Sequence, residues 1–322
     1  MRPKLVAALC LAAGAALGST GIAAADNGGL APPPSVSPNG DRIRDAYFFI
    51  AIYAGAIFLL VEGALILFLL RFRRRRRRHD EEGPQIRGNT NLELAWTVVP
   101  VLILVAIGAF VFYKIPGIED PPRAEAANDH LAVTIQGRQF YWQFGYDGGA
   151  VAIDELVVPV DRTIVATLTA PDHDVIHSWW IPRLGGKRDA IPGATTDLWF
   201  RPRREGVYLG TCGEFCGIQH AAMRARVRVV SQQEYERYLD ERENELGREE
   251  WQGVCQKCHS AQIGIGPPLE QSPTLQNEEA VVAAVTEGRG EMPAVGKGWS
   301  EEQLDALLTY IREEVTAGGG QG

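Results

Sequence analysis

The segment Cys212-Gly-Glu-Phe-Cys216-Gly-Ile-Gln-His220-Ala-Ala-Met223 places two thiols, an imidazole and a thioether within twelve residues. With the two cysteines alone, a disulfide would be the expectation in an exported domain. His220 and Met223 shift the reading to a metal. Thiolate, imidazole and thioether are the soft and borderline donors that select copper, whereas calcium and magnesium take oxygen ligands. Zinc is the next alternative, but a thioether suits it poorly. A single blue-copper centre needs one Cys, two His and a weak axial Met. Two thiols therefore leave either one redundant or both shared by two metals. A second imidazole upstream decides between these, and His177 in Asp174-Val-Ile-His177-Ser-Trp-Trp-Ile-Pro182 is well placed at a strand end, with His173 as its competitor. A pair of coppers bridged by both thiolates, each with one His and one weak axial donor, uses every group.

Around this loop the pattern is short and β-like, at Leu131 to Ile135, Gln139 to Tyr146, Thr163 to Thr169, Asp197 to Phe200, Val207 to Gly210 and Arg224 to Val230. Gly, Pro and Asp fill the intervals, which is the spacing of a Greek-key β-sandwich or barrel. Residues 125–231 are expected to form this all-β domain. Ser231 to Glu250 is polar and mostly acidic, and reads as an exposed helical connector, with 232–250 as the linker. Residues 251–322 change character, with helical candidates at Trp251 to Cys258, Asn277 to Glu287 and Ser300 to Thr316 and a Gly-rich tail. No internal repeat is present.

Upstream lie two apolar runs, Ala46 to Leu70 with the single charge Glu62, and Leu94 to Tyr113 with none. A helix needs about 20 residues to cross a bilayer, so both suffice. Arg71 and the six arginines Arg73 to Arg78 lie between them, and such a block stays on the cytoplasmic side. Residues 46–113 are thus expected to form a transmembrane hairpin with both outer ends facing outward, preceded by an external segment at 26–45. Lys4 and Arg2, the apolar run Val6 to Leu17 and Ala23-Ala24-Ala25 give residues 1–25 the layout of a secretory signal; Cys10 within it receives no role.

The whole chain agrees with this division. Its 322 residues suffice for two or three domains. A mean hydropathy of −0.09 belongs to a mostly soluble chain with a small membrane fraction. The formal charge of −8 argues against nucleic-acid binding.

A second constellation, Cys255-Gln-Lys-Cys258-His259, is the signature of covalent haem attachment. Its thiols add to the porphyrin vinyl groups and its His becomes an axial ligand. The sixth ligand should be a Met, which raises the potential, and Met292 in Gly290-Glu-Met292-Pro293 is the one Met of the C-terminal unit. The unit resembles a small all-α class I cytochrome c domain. It carries four basic and ten acidic residues, so charge-steered docking is not its expected way of meeting the copper domain; the tether supplies effective concentration instead.

Taken together, the hairpin, the β-domain and the metal loop, from Ala46 to Ser231, resemble subunit II of cytochrome c oxidase, with its binuclear CuA centre on a cupredoxin-like domain. With the C-terminal haem unit, the whole is similar to the caa type of that subunit. The resemblance implies that His177 and His220 each bind one copper, that Cys212 and Cys216 bridge, and that Met223 and the Glu214 carbonyl are axial. It also implies that the Glu214 side chain reaches a magnesium ion at the border with subunit I. In the family an exposed Trp admits electrons to the copper domain. The matching position here is Phe140, in the aromatic segment Gly137 to Tyr146 with Trp142. Glu93, at the start of the second span, matches a Glu at the mouth of a proton path into subunit I.

The implied function is that of a respiratory oxidase subunit. It takes electrons from an external donor through haem c to CuA and on to the haem-copper site of subunit I, where O2 is reduced with proton translocation. The implied partners are subunit I with its haem a, subunit III, the external donor and membrane lipid, in the plasma membrane of a bacterium. Only His79, His130 and His173 remain unassigned, too few for an oxygen-reducing site in this chain. A quinol-oxidase subunit II lacks the copper ligands retained here. A membrane-anchored copper chaperone or electron shuttle leaves Glu93 and Glu214 without a purpose, and a nitrous oxide reductase does not account for the hairpin and haem.

Overall fold

The computed structural model describes residues 31–72, 85, 87–123, 130–147, 149–242, 246–260, 265–269 and 272–316. The expected signal at 1–25, with Cys10, and the arginine run Arg73 to Arg78, with His79, lie outside the described residues.

The chain divides into two units, one of which holds residues 44–113 and the other 35–43 and 114–322. The first is made of the greater part of two helices, Pro38–Arg71 and Thr90–Lys114, which extend the expected spans at both ends. Both are long and apolar enough to cross a membrane. Their apolar side chains point outward all round, with Leu60 and Phe112 72% and 79% exposed, as befits helices whose solvent is lipid. Phe49 stacks on Phe110 at 4.0 Å.

The second unit contains a sandwich of two five-stranded sheets. One sheet orders its strands as β3 (Val151–Ile153), β2 (Tyr141–Tyr146), β1 (His130–Arg138), β5 (Thr163–Thr169) and β8 (Thr196–Phe200). The other runs β4 (Glu155–Pro159), β10 (Arg224–Val230), β9 (Gly206–Cys212), β6 (His177–Trp180) and β7 (Arg188–Ala190). The pairs β1 with β5 and β10 with β4 are parallel, and the remaining ladders antiparallel. Alternate residues turn inward, so Ile135, Trp142, Phe144, Leu156, Ile164 and Trp179 are almost wholly removed from water. Burial of each is worth about 1.5–3 kcal/mol.

The segment ahead of the first long helix is stitched to this sandwich. Val36 joins its core. The Val36 N–H donates to the Arg183 carbonyl at 2.8 Å, and the Arg201 N–H to Ser37 Oγ at 2.9 Å.

The connector is helical, at Gln232–Glu241 with Ser231 as N-cap and at Leu246–Glu250, but it is not exposed throughout, and this corrects the expectation. Tyr235 packs into the sandwich core. Arg242, 2% exposed, donates from Nε to the Val151 carbonyl at 2.8 Å and pairs with Glu249. Glu249 in turn accepts the Ile153 N–H at 3.1 Å. Tyr235, Arg242, Leu246 and the carboxyl of Glu250 turn inward, while most of the other acidic side chains stay wet.

The C-terminal helices are Gln256–His259, Glu278–Glu287 and Glu301–Tyr310, the last with a Ser300/Gln303 capping box. A wide π-type turn, Trp251–Cys255, precedes the first. Their core of Trp251, Val254, Val281, Trp299 and Leu307 also takes in Tyr141 and Ile153 from the sandwich. The β and helical parts therefore share buried side chains and belong to one unit. The tether is only part of what holds them together.

Candidate functional site

Strands β6 and β9 are neighbours, with Trp179 opposite Cys212. This pairing brings His177 at the head of β6 beside Cys212 at the end of β9. Gly137 of β1 permits the approach, because a Cβ there would lie 2.8 Å from His177 Cβ. After Cys212 the chain turns through Gly217, whose φ of 130° a side-chain-bearing residue rarely adopts. It then forms a single tight turn at His220–Ala222 and enters β10. The Met223 carbonyl accepts the Cys212 N–H at 3.0 Å, which closes the loop.

The donors predicted from sequence are brought together. Cys212 Sγ lies 3.9 Å from Cys216 Sγ, 4.0 Å from His177 Nδ1 and 3.2 Å from the Glu214 carbonyl. Cys216 Sγ lies 3.6 Å from His220 Nδ1 and 3.8 Å from Met223 Sδ. Cys212, Cys216, Met223 and His177 are all buried, and both thiols are free. His173, the competing imidazole, is exposed and outside the cluster.

A residue not singled out in the sequence orients the first imidazole. Asp174 Oδ1 lies 3.0 Å from His177 Nε2. A carboxylate only accepts, so Nε2 carries the proton and the neutral ring presents its Nδ1 lone pair to the sulfur. Burial works against charge on both partners, but their mutual hydrogen bond prevails, lowering the Asp174 pKa and raising that of His177. The N–H groups of Val175 and Gln139 also donate to this carboxylate. Between the thiols one ionisation dominates. The Cys216 thiol favours a Cys212 thiolate, which is lowered despite burial, and that thiolate opposes ionisation of Cys216.

Two thiolate sulfurs, two imidazole nitrogens, a thioether and a carbonyl, placed in a water-poor pocket, suit two soft ions sharing the sulfurs. The donor set fits a copper pair.

The second set lines a cavity of about 320 Å³ walled mainly by apolar side chains, among them Trp251, Leu275, Val285 and Leu307. Cys255, His259 and Met292 all face it. His259 Nδ1 is 2.7 Å from the Pro267 carbonyl. A carbonyl cannot donate, so Nδ1 holds the proton and Nε2 is free to bind a metal. A greasy cavity with a thioether and a preset imidazole, flanked by free Cys255 and Cys258, fits a covalently held haem.

The remaining predicted residues are placed as follows. The Glu214 side chain is about half exposed, 3.9 Å from Lys187 Nζ. Glu93 sits in the first turn of Thr90–Lys114, where Oε1 accepts the Asn89 N–H at 3.4 Å. Phe140 is partly buried against the sandwich core. Its carbonyl accepts from Lys257 Nζ at 3.1 Å. Trp142 is 0% exposed, edge-on to Trp179 at 5.2 Å and 6.1 Å from the His177 ring.

Comparison with known proteins matches the same division of the chain. Residues 25–113 match the family described as cytochrome c oxidase subunit II, transmembrane domain, and residues 149–230 the subunit II periplasmic domain. Residues 242–311 match the family described as cytochrome c oxidase, cbb3-type, subunit III. Cytochrome c oxidase subunit 2 of Alkalihalophilus pseudofirmus is 30% identical over 315 residues, covering 86% of this chain and 90% of its own. The subunit 2 of Cereibacter sphaeroides is 32% identical, covering 66% and 80%. The crystal structure of the periplasmic domain of subunit II of cytochrome oxidase from Bradyrhizobium japonicum is 30% identical, with a TM-score of 0.35, covering 38% of this chain and 97% of that one. The family models and the two full-length relatives bear out the membrane helices, the β-sandwich and the helical C-terminal domain as a membrane protein with a periplasmic domain and a part in electron transfer. The chain belongs to the cytochrome c oxidase subunit II family, in a form that carries a C-terminal cytochrome c domain.

Proposed function

We propose that this chain is the electron-delivery subunit of a haem-copper oxidase in the plasma membrane of a bacterium. Electrons from an external one-electron donor are taken up at the C-terminal domain and handed through the β-domain to subunit I, where O2 is reduced to water and protons are translocated. The observation that carries this reading is the convergence of His177, His220, Met223 and the Glu214 carbonyl on the Cys212–Cys216 pair, each 3.2–4.0 Å from one of the two sulfurs.

In this reading, Cys212 and Cys216, with His177, His220, Met223 and the Glu214 carbonyl, would hold the copper pair, and Cys255, Cys258, His259 and Met292 would hold haem c. When bound, the two groups supply one-electron sites, the copper pair spreading its charge over two ions. The protein's own part is to fix donor positions before and after the electron arrives. Asp174 keeps the His177 ring from rotating, and the close-packed sandwich under Trp142 and Trp179 resists movement of the strands. A frame that does not move keeps the reorganisation cost of electron transfer small.

The domain limits proposed are a signal at 1–25, an external segment at 26–45, the hairpin at 46–113, the copper domain at 125–231, the linker at 232–250 and the cytochrome domain at 251–322. Glu214, half exposed, is proposed to offer its carboxylate to magnesium at the border with subunit I, and Glu93 to stand at a proton path. Phe140 and Trp142 are proposed to lie on the electron route into the copper pair.

Purification of the full chain in native lipid tests the assignment. The expected result is a complex with a large polytopic partner holding haem a and with subunit III. A chain that runs alone, with neither partner nor haem a, would contradict it and favour a free electron shuttle.

A further inference from the structure

Gln219 stands immediately before His220 and is 5% exposed. Its backbone carbonyl accepts the N–H groups of Ala222 at 2.9 Å and Met223 at 3.0 Å, and so holds the turn that carries two copper donors. Its side chain points the other way. Nε2 donates to the Lys257 carbonyl at 2.9 Å and lies 3.6 Å from Cys258 Sγ. Lys257 is one of the two residues between the haem-attaching cysteines.

Lys257 is anchored a second time. Nζ donates to the Phe140 carbonyl at 3.1 Å and pairs with Asp154 Oδ2 at 2.5 Å. Asp154 Oδ1 accepts the Trp142 N–H at 3.1 Å. The Tyr141 hydroxyl, between them in sequence, donates to the Val295 carbonyl at 2.7 Å and accepts from Trp299 Nε1 at 3.0 Å. Arg138 Nη1 donates to the Lys297 carbonyl at 2.9 Å.

Resting on the function proposed above, we propose that Gln219 is a positioning residue that locks the Cys255–His259 segment onto the copper loop in a single register, with Lys257 as the second pin. Three features support this. The contacts are directional and part-buried, and the Gln219 side chain is almost wholly withdrawn from water, so removing its donor leaves a shielded carbonyl without its partner. They converge on Lys257, one of four cations in an acidic domain, so the pairing is local and specific. The link from the Cys258 sulfur to the His220 ring also runs through one 3.6 Å contact and then covalent bonds of Gln219 and His220, a route that depends on side-chain length and register. The face at Phe140 is occupied by this chain's own domain, so a separate donor delivers to the haem domain only.

The test uses the intact oxidase complex carrying Gln219→Met, which keeps length and volume and removes the donor. Hydrogen exchange of amides in residues 139–154 reports opening of the interface. It is expected to quicken about tenfold, the change in an opening equilibrium that corresponds to about 1.4 kcal/mol. A photoreductant then places one electron on ferric haem c, and its passage to the oxidised copper pair is followed. Iron returns from Fe(II) to Fe(III) as the pair gains one electron, with no proton or bond exchanged. The rate is expected to fall, and the relaxation enhancement of the copper EPR signal by ferric haem to weaken, while copper and haem contents stay at wild-type values.

Unchanged exchange, rate and relaxation in Gln219→Met would overturn the proposal. Lys257→Met, which removes an ammonium bonded to Phe140 and Asp154 and to none of the copper donors, is expected to repeat the effect if Gln219→Met fails to load copper, and an unaltered rate in that variant overturns it equally. A wild-type complex lacking either copper or haem c would instead defeat the underlying function.

Discussion

Around the Cys212–Cys216 pair four further donors are packed, each within 4.0 Å of one of the two sulfurs, by paired strands and a closed loop. His259 and Met292, in contrast, line a cavity of about 320 Å³ whose other walls are mainly apolar. The copper frame is set by backbone pairing, β6 against β9 and the Cys212 N–H on the Met223 carbonyl. In the haem domain the protein offers one imidazole and one thioether, which in the proposed reading would hold the haem, in a mainly apolar cavity, and the bulk of the site is left for the group itself. The lesson is that one chain prepares its two centres differently. The first is a rigid clamp for small ions and the second an envelope for a large cofactor. Substitutions should therefore be all-or-none in the first and graded in the second.

The largest effect is expected from Cys216→Ser. A hydroxyl is a hard donor and does not replace a bridging thiolate, so the paired copper should be lost completely while haem content stays at the wild-type level, read by metal analysis and haem spectra. Loss of both groups together would mean that the two sites do not load independently. Met292→Ala should be partial. Haem remains attached through Cys255 and Cys258, and its potential drops by on the order of 0.1–0.3 V within the roughly 0.8 V span that axial ligands command. An unchanged potential in a redox titration would mean that another residue is the sixth ligand.

Smaller still is Tyr141→Phe, which keeps the ring in the shared core but removes the hydroxyl that joins Val295 and Trp299. It should cost about 1–3 kcal/mol, seen as an earlier thermal unfolding of the haem domain with the copper spectrum intact.

The last prediction concerns Glu250, fully buried behind the haem-attachment turn. Its Oε1 accepts from Gln303 at 3.1 Å, and Oε2 has no hydrogen-bond partner among the described residues. Burial pushes its pKa up to about 9. The folded state then holds a proton that the unfolded chain releases near pH 4.5. Stability from this group is full below about 4.5 and declines as the pH rises towards 9. Glu250→Gln should flatten that slope between pH 5 and 9 in thermal unfolding of the complex, and a slope equal to wild type would show that Glu250 ionises normally.

Much of this was legible in the sequence because the chemistry was contiguous. The copper loop and Cys255-Gln-Lys-Cys258-His259 are each short runs of chemically distinctive residues, and strands β5 and β10 fall where alternation put them. Strands of three to five residues, such as β3, β4, β6 and β7, were too brief to show a period. Asp174, Gln219, Asp154 and Lys257 were passed over for another reason. Each is an ordinary polar residue whose partner matters only in the folded chain, as when Gln219 meets a carbonyl 38 positions away. The connector misled because its acidic composition hid the inward turn of Tyr235 and Arg242.

The central claim is that this chain binds two coppers through both thiolates beside a covalent haem. EPR spectroscopy of the oxidised full complex, combined with copper and haem analysis, tests it most directly. The account predicts two coppers and one haem c per chain, with a hyperfine pattern from one unpaired electron shared equally by two copper nuclei. A single-copper pattern, or a copper-free protein with Cys212 and Cys216 joined as cystine, would contradict it.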